Sequence, residues 1–149
     1  MKDSENELSK HYTIASADFS RAGQVSTQIK ELLQEIGITS SIIRRAVIAT
    51  YEAEMNVVMY AEEAELFLTV NPEKIHIRIE DKGQGITDIN LAMQEGFSTA
   101  TDEMREMGFG AGMGLPNIKR NADKFNISSI PGKGTSVDII FCLNQRENY

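Results

Sequence analysis

The polar and apolar positions change period along the chain. Between Phe19 and Ile36, the residues Ala22, Val25, Ile29, Leu32, Leu33 and Ile36 recur every three to four positions, the spacing of one helical face. Asp18 is placed to cap this helix and Gly37 to stop it. A second helix starts at Thr39 or Ser40 and reaches about Ala61, with Ile43, Ala46, Val47, Thr50, Ala53 and Val57 facing inward. The period then drops to two. Ile75, Ile77 and Ile79 alternate with polar residues up to Glu80, which predicts a half-buried strand. Leu66–Val70 is its neighbour across the polar turn 71–74, so the two should form an antiparallel hairpin. His11–Ile14 reads as a short strand.

Beyond the hairpin come a glycine-rich loop (81–88), a short helix (89–94) and a long irregular segment (96–112). A loop of that length in a small domain is usually functional or mobile. Leu115 opens a third helix running to about Phe125, with Pro116 acceptable in its first turn. Strands at 127–130 and 135–143 flank a turn at 131–134. The order predicts an α+β two-layer sandwich: three helices on one face of a mostly antiparallel, mixed sheet. Residues 1–9 read as a flexible N-terminus, 10–143 as the domain and 144–149 as a tail.

Composition narrows the function. The chain has 149 residues, enough for one domain with a real core, and a formal net charge of −7. That charge argues against wholesale binding to nucleic acid or an anionic membrane. One cysteine, Cys142, rules out an internal disulfide and fits a reducing compartment. In its apolar strand it is expected to be buried. The N-terminus lacks the apolar stretch of a signal peptide, and no run approaches membrane-spanning length. The expectation is a soluble cytoplasmic protein.

Several clusters can carry chemistry. Gly108, Gly110, Gly112 and Gly114 lead straight into the third helix. Such a run is either a flexible linker or an anion site at a helix start. It fits neither G-x-G-x-x-G nor a P-loop, because residue 113 is Met, 115 is Leu and no G-K-[ST] follows. Glu52 and Asn56 lie one turn apart at the border of an apolar stripe, where both can point into one cleft. The amide oxygen suits Mg²⁺ and the carboxylate suits proton abstraction, although each is also an ordinary polar residue on a solvated helix face. Asp81, at a strand end, can accept from an exocyclic amine, with Gly83 and Gly85 admitting a planar base and Ile86 packing on it. Ser98, Thr99 and Thr101 offer hydroxyls, and Arg105 a guanidinium suited to phosphate. Lys119 and Arg120 read as a solvated face. Neither His11 nor His76 has metal-like spacing, and no Ser-His-Asp set or Cys–His cluster is present.

Taken in order, Glu52-x-x-x-Asn56, Asp81-x-Gly83-x-Gly85 and the glycines of 108–114 resemble the N box and the two glycine boxes of the GHKL ATPase superfamily of gyrases, heat-shock chaperones, histidine kinases and mismatch-repair ATPases. Gly132-Lys133-Gly134-Thr135 is similar to the turn before that family's last strand. The resemblance covers about residues 10–143. Within the superfamily, Glu80–Ile86, Glu95–Thr99 and Gly110–Pro116 most resemble bacterial anti-sigma regulatory factor serine/threonine kinases of the stressosome switch-kinase type.

The resemblance implies the GHKL fold and an ATP- and Mg-dependent kinase. Asn56 would be the metal ligand, Glu52 the base toward a serine hydroxyl, and Asp81 the reader of the adenine amine, with Gly85 and Thr135 nearby. Tyr60, Gly83, Ile86, Ser98, Thr99, Gly108, Gly110, Ala111, Gly112, Met113, Gly114 and Leu115 would complete the ATP or ADP contacts. Residues 96–112 would be the lid, least ordered without nucleotide, with Arg105 reaching the γ-phosphate. The implied partner is a STAS-domain antagonist protein. The alternatives are an ATP-gated module that sequesters a sigma factor with little phosphotransfer, and a detached ATP lobe serving a larger complex. The inserted Thr101–Glu106 is longer and more charged than the lid of the switch kinases, which leaves the partner open, as is a homodimer.

Overall fold

Alternating strands and amphipathic helices have one economical solution: the apolar stripe of each helix covers the apolar face of the sheet. The computed structural model describes residues 6–15, 19–60, 63–82 and 114–143. Its strands are β1 (Leu8–Ala15), β2 (Glu63–Val70), β3 (Lys74–Asp81), β4 (Lys124–Ile130) and β5 (Gly134–Cys142). They form one sheet in the order β1-β2-β3-β5-β4, and every neighbouring pair is antiparallel. The helices are α1 (Gln24–Glu35), α2 (Ser40–Tyr60) and α3 (Gly114–Asn121). The expected α+β sandwich is present. Leu66, Leu68, Ile75, Ile77, Ile139 and Phe141, all at most 1% exposed, pack with Ile29 and Leu33 of α1, Ala46 and Ala49 of α2 and Ile118 of α3. The β2–β3 hairpin is pinned by Asn71, whose Oδ1 accepts from the N–H groups of Glu73 (2.8 Å) and Lys74 (2.9 Å).

Two helices differ from their expected bounds. The periodicity of 19–36 does not form one helix. Phe19–Arg21 is a short 3₁₀ turn, and α1 begins at Gln24 after Gly23, whose φ of 90° breaks the helical path. A Cβ at Gly23 would also stand 3.3 Å from the Tyr51 ring. Asp18, the expected cap, lies outside the described residues, as do the short helix 89–94 and the tail 144–149. The third helix ends at Asn121, not Phe125. There Arg45 Nε of α2 donates to the Asn121 carbonyl (2.9 Å), its Nη2 to Asp123 Oδ1 (2.8 Å), and the Asp123 N–H joins the Ile140 carbonyl (2.9 Å). The chain is thereby handed to β4, and Phe125 and Ile127 continue with period two on the covered face.

The sheet's other face is polar. His11 stacks on Phe67 and pairs with Glu65. Asp138 accepts from His76 (2.8 Å) and, through both oxygens, from Arg78 Nη1 (2.8 and 2.9 Å). Cys142, expected in the core, alternates with buried Phe141 and so belongs to this face, half-exposed. Burial alone would push the Asp138 carboxyl up, but hydrogen bonds and charge from His76 and Arg78 outweigh it and hold the group below the usual 3.8. A lowered folded pKa stabilises the native state above the unfolded value and loses that contribution as pH falls through the folded one. Thermal melts of Asp138→Asn should therefore lie below the parent near neutrality and converge with it below about pH 4. Parallel curves across that range would refute this role.

Candidate active site

Helix α2 presents different polar residues to different neighbours within little more than one turn. Glu52 and Asn56 lie about 40° apart around the helix axis, while Glu54 is about 160° from Glu52. The first two are half-buried and meet α3. Asn117 Nδ2 donates to Glu52 Oε2 at 3.2 Å. A Cβ placed on Gly114 would stand 3.2 Å from Asn56 Oδ1 and 3.4 Å from its Nδ2, so the start of α3 sits directly on the Asn56 carboxamide. Both members of the predicted pair thus face the start of α3, the helix that the glycine run enters.

Asp81 ends β3. It follows Ile75, Ile77 and Ile79 at even spacing and so lies on the helix-covered face. Its Oδ1 accepts the Thr135 N–H at 3.1 Å. Asp81 is also at the Asn56 end of α2: it pairs with Ala64, four residues past the end of that helix. Gly134 makes this corner tight. Its φ is 139°, and a Cβ there would lie 2.1 Å from the Asp81 carbonyl oxygen, so the turn before β5 accepts only glycine. The Thr135 hydroxyl is engaged by Ser129 Oγ (3.0 Å), which also donates to the Gly134 carbonyl (3.0 Å).

The structure therefore brings Glu52, Asn56, Gly114 and Leu115 together and holds Asp81 with Thr135 at the same end of the fold. Gly83, Gly85, Ile86, Ser98, Thr99, Arg105, Gly108, Gly110, Ala111, Gly112 and Met113, the lid 96–112 among them, lie outside the described residues, as does the side chain of Tyr60.

Three residues were missed at the sequence level. Asn117 is a lone polar position between buried Pro116 and Ile118. Ser129 braces Thr135. Glu54 is only 2% exposed, and its two carboxylate oxygens accept the N–H groups of Val25 (3.1 Å) and Ser26 (3.0 Å). Those are orphan donors of the α1 N-terminus, and Gly23 has no side chain to satisfy them. A carboxylate inside an otherwise apolar face was the available signal for Glu54. An open groove of about 810 Å³ runs between α1 and α2, bordered by Arg21, Gly23, Thr27, Tyr51 and Glu52.

The donors fit a nucleotide with a hard cation. Asn56, beside Gly114, would supply one amide oxygen, the sparse protein ligation Mg²⁺ accepts when phosphates supply the rest. Among the described residues no group of three His, Cys, Asp or Glu side chains could hold a metal by itself. No described helix is long and apolar enough to cross a membrane.

Comparison with known proteins identifies the family. Residues 39–145 match the family described as histidine kinase-, DNA gyrase B-, and HSP90-like ATPases. The serine/threonine-protein kinase RsbT of Bacillus subtilis is 30% identical over 115 residues, 74% of this chain and 80% of that one. An anti-sigma F factor of a Thermoanaerobacter species is 33% identical over 116 residues, 78% of this chain and 73% of that one. Among solved structures, a chain of the SiaB–SiaC complex from Pseudomonas aeruginosa aligns with a TM-score of 0.63 at 13% identity, covering 93% of this chain and 91% of that one, a likeness of fold.

Proposed function

Because the chain belongs to the histidine kinase-, DNA gyrase B-, and HSP90-like ATPases, we propose that it is an ATP-dependent serine/threonine protein kinase acting on a serine of a small STAS-domain antagonist protein in a partner-switching pathway. The observation that carries this reading is the meeting of Glu52 and Asn56 with the first turn of α3. A polar residue on a solvated face needs no such partners.

Asp81 accepts from the adenine amine, its rotamer fixed by the Thr135 N–H. Gly83, Gly85 and Ile86 flank the base. Asn56 would hold Mg²⁺, which when bound offsets the charge of the phosphates. The start of α3 points its N–H groups toward the same anionic chain. The lid, 96–112, closes over the triphosphate and brings Arg105 to the γ-phosphate. The acceptor serine approaches along the groove bordered by Glu52. Its oxygen bonds to the γ-phosphorus as the bond to the β–γ bridging oxygen breaks, ADP leaves, and the serine proton passes to the Glu52 carboxylate.

The test is transfer of label from γ-labelled ATP, with Mg²⁺, to recombinant STAS-domain proteins encoded beside the gene. Label on a partner serine is expected. Tight ATP binding with no label on any of them, and an ATP-dependent complex with a sigma factor, would overturn the kinase reading in favour of sequestration. The adenine site has its own test. Asp81→Asn should weaken ATP binding by more than about 1.4 kcal/mol, tenfold in Kd, because an amide offers a donor where adenine also donates. Calorimetry showing unchanged affinity would displace the base from Asp81.

A further inference from the structure

We infer that Asn117 is a positioning residue for Glu52, oriented in turn by Arg120. This rests on the reading of Glu52 as the base. Arg120 Nη1 donates to Asn117 Oδ1 at 2.8 Å, and Asn117 Nδ2 donates to Glu52 Oε2 at 3.2 Å. The direction of this chain is chemically determined. A guanidinium can only donate, so the amide oxygen must face Arg120, and a carboxylate can only accept, so the amide nitrogen must face Glu52. The asparagine backbone is anchored as well. Pro116 and Ile118 on either side are buried, and the Asn117 carbonyl accepts from Asn121 Nδ2 at 2.8 Å. Arg45 of α2 ties Asn121 back to the helix that carries Glu52.

The consequence is a carboxylate with two unlike oxygens. Oε2 is pinned by Asn117, which fixes the rotation of the carboxyl plane. Oε1 has no hydrogen-bond partner among the described residues and is the atom left to take the serine proton. Once Oε1 is protonated, Oε2 becomes the carbonyl oxygen of a neutral acid and still accepts from Asn117. The bond therefore survives proton transfer and does not oppose it. A glutamate side chain on a helix otherwise samples several rotamers, and a misplaced base is slow.

The experiment begins with the nucleotide-free protein. The side-chain amide resonance of Asn117 should move in both Glu52→Gln and Arg120→Ala, whereas an unchanged resonance in both would overturn the chain. In phosphotransfer assays Asn117→Ala should lower kcat about tenfold with the KM for ATP held within about twofold, and Glu52→Gln combined with Asn117→Ala should be no slower than Glu52→Gln alone. Asn117→Asp, isosteric with the parent, should be slower than Asn117→Ala, because it faces Glu52 with a second carboxylate. Additive losses, a raised KM for ATP, or parent-like Asn117→Asp would reduce Asn117 to a packing residue. Full transfer by Glu52→Gln would instead remove the base assignment, and the amide resonance would still decide the contact.

Discussion

Glu52→Gln should slow phosphotransfer sharply and leave nucleotide binding in place. The variant keeps the size of the side chain and, through its amide oxygen, an acceptor for Asn117 Nδ2. What it loses is the lone pair that takes the proton. A positioned general base contributes about 10²–10⁴-fold, and kcat should fall by that amount. Asn56 and Asp81 are untouched, so ATP affinity should stay within about twofold. Label transfer measured beside calorimetric ATP binding separates the two effects. Equal loss of both would make Glu52 part of the binding site, and loss of neither would leave it outside the chemistry.

Glu54→Ala, two residues along, should fail in a different way. Glu54 faces the core, where its carboxylate accepts two N–H groups of the first turn of α1. Truncation strips both buried donors of their partner and leaves a cavity. Each buried unsatisfied group costs about 1–3 kcal/mol, so the loss should be roughly 3 kcal/mol, or about 10 °C in Tm. Glu54→Gln retains one acceptor and should lose about half of that. Because α1 forms one wall of the groove beside Glu52, any loss of activity in Glu54→Ala should follow the melting curve and vanish on cooling. A melting point within about 2 °C of the parent would show that α1 does not depend on this cap.

These two glutamates mark the boundary of what can be read without a structure. Glu52 stood out as a candidate because Asn56 is one turn away and because Asp81 and the glycines follow in a known order. The sheet was legible for a similar reason: Ile75, Ile77 and Ile79 declare their face by period alone. The position of Glu54 in an apolar face hints at burial, but its partners were not legible, because they lie at a helix start 28 and 29 residues earlier, which no local spacing encodes. Asn117 reaches Glu52 across 65 residues of sequence and only through the packing of α3 on α2. The start of α1 was misplaced because the apolar period runs on through Ala22 while Gly23 takes a left-handed turn. The end of α3 was misplaced because Phe125 suits a helical period and a strand period equally, and the choice is made by Arg45 and Asp123.

One end of the fold, from Asn56 to Thr135, is proposed here as the nucleotide site. An NMR titration of the labelled protein with Mg²⁺ and a non-hydrolysable ATP analogue tests it most directly. Large shifts are expected at the Asn56 side chain and at the amides of Asp81, Gly114 and Thr135, with His76, Arg78 and Asp138 on the opposite face of the sheet silent. Shifts confined to the outer face or to the α1 side of the groove, or none at millimolar analogue, would contradict it.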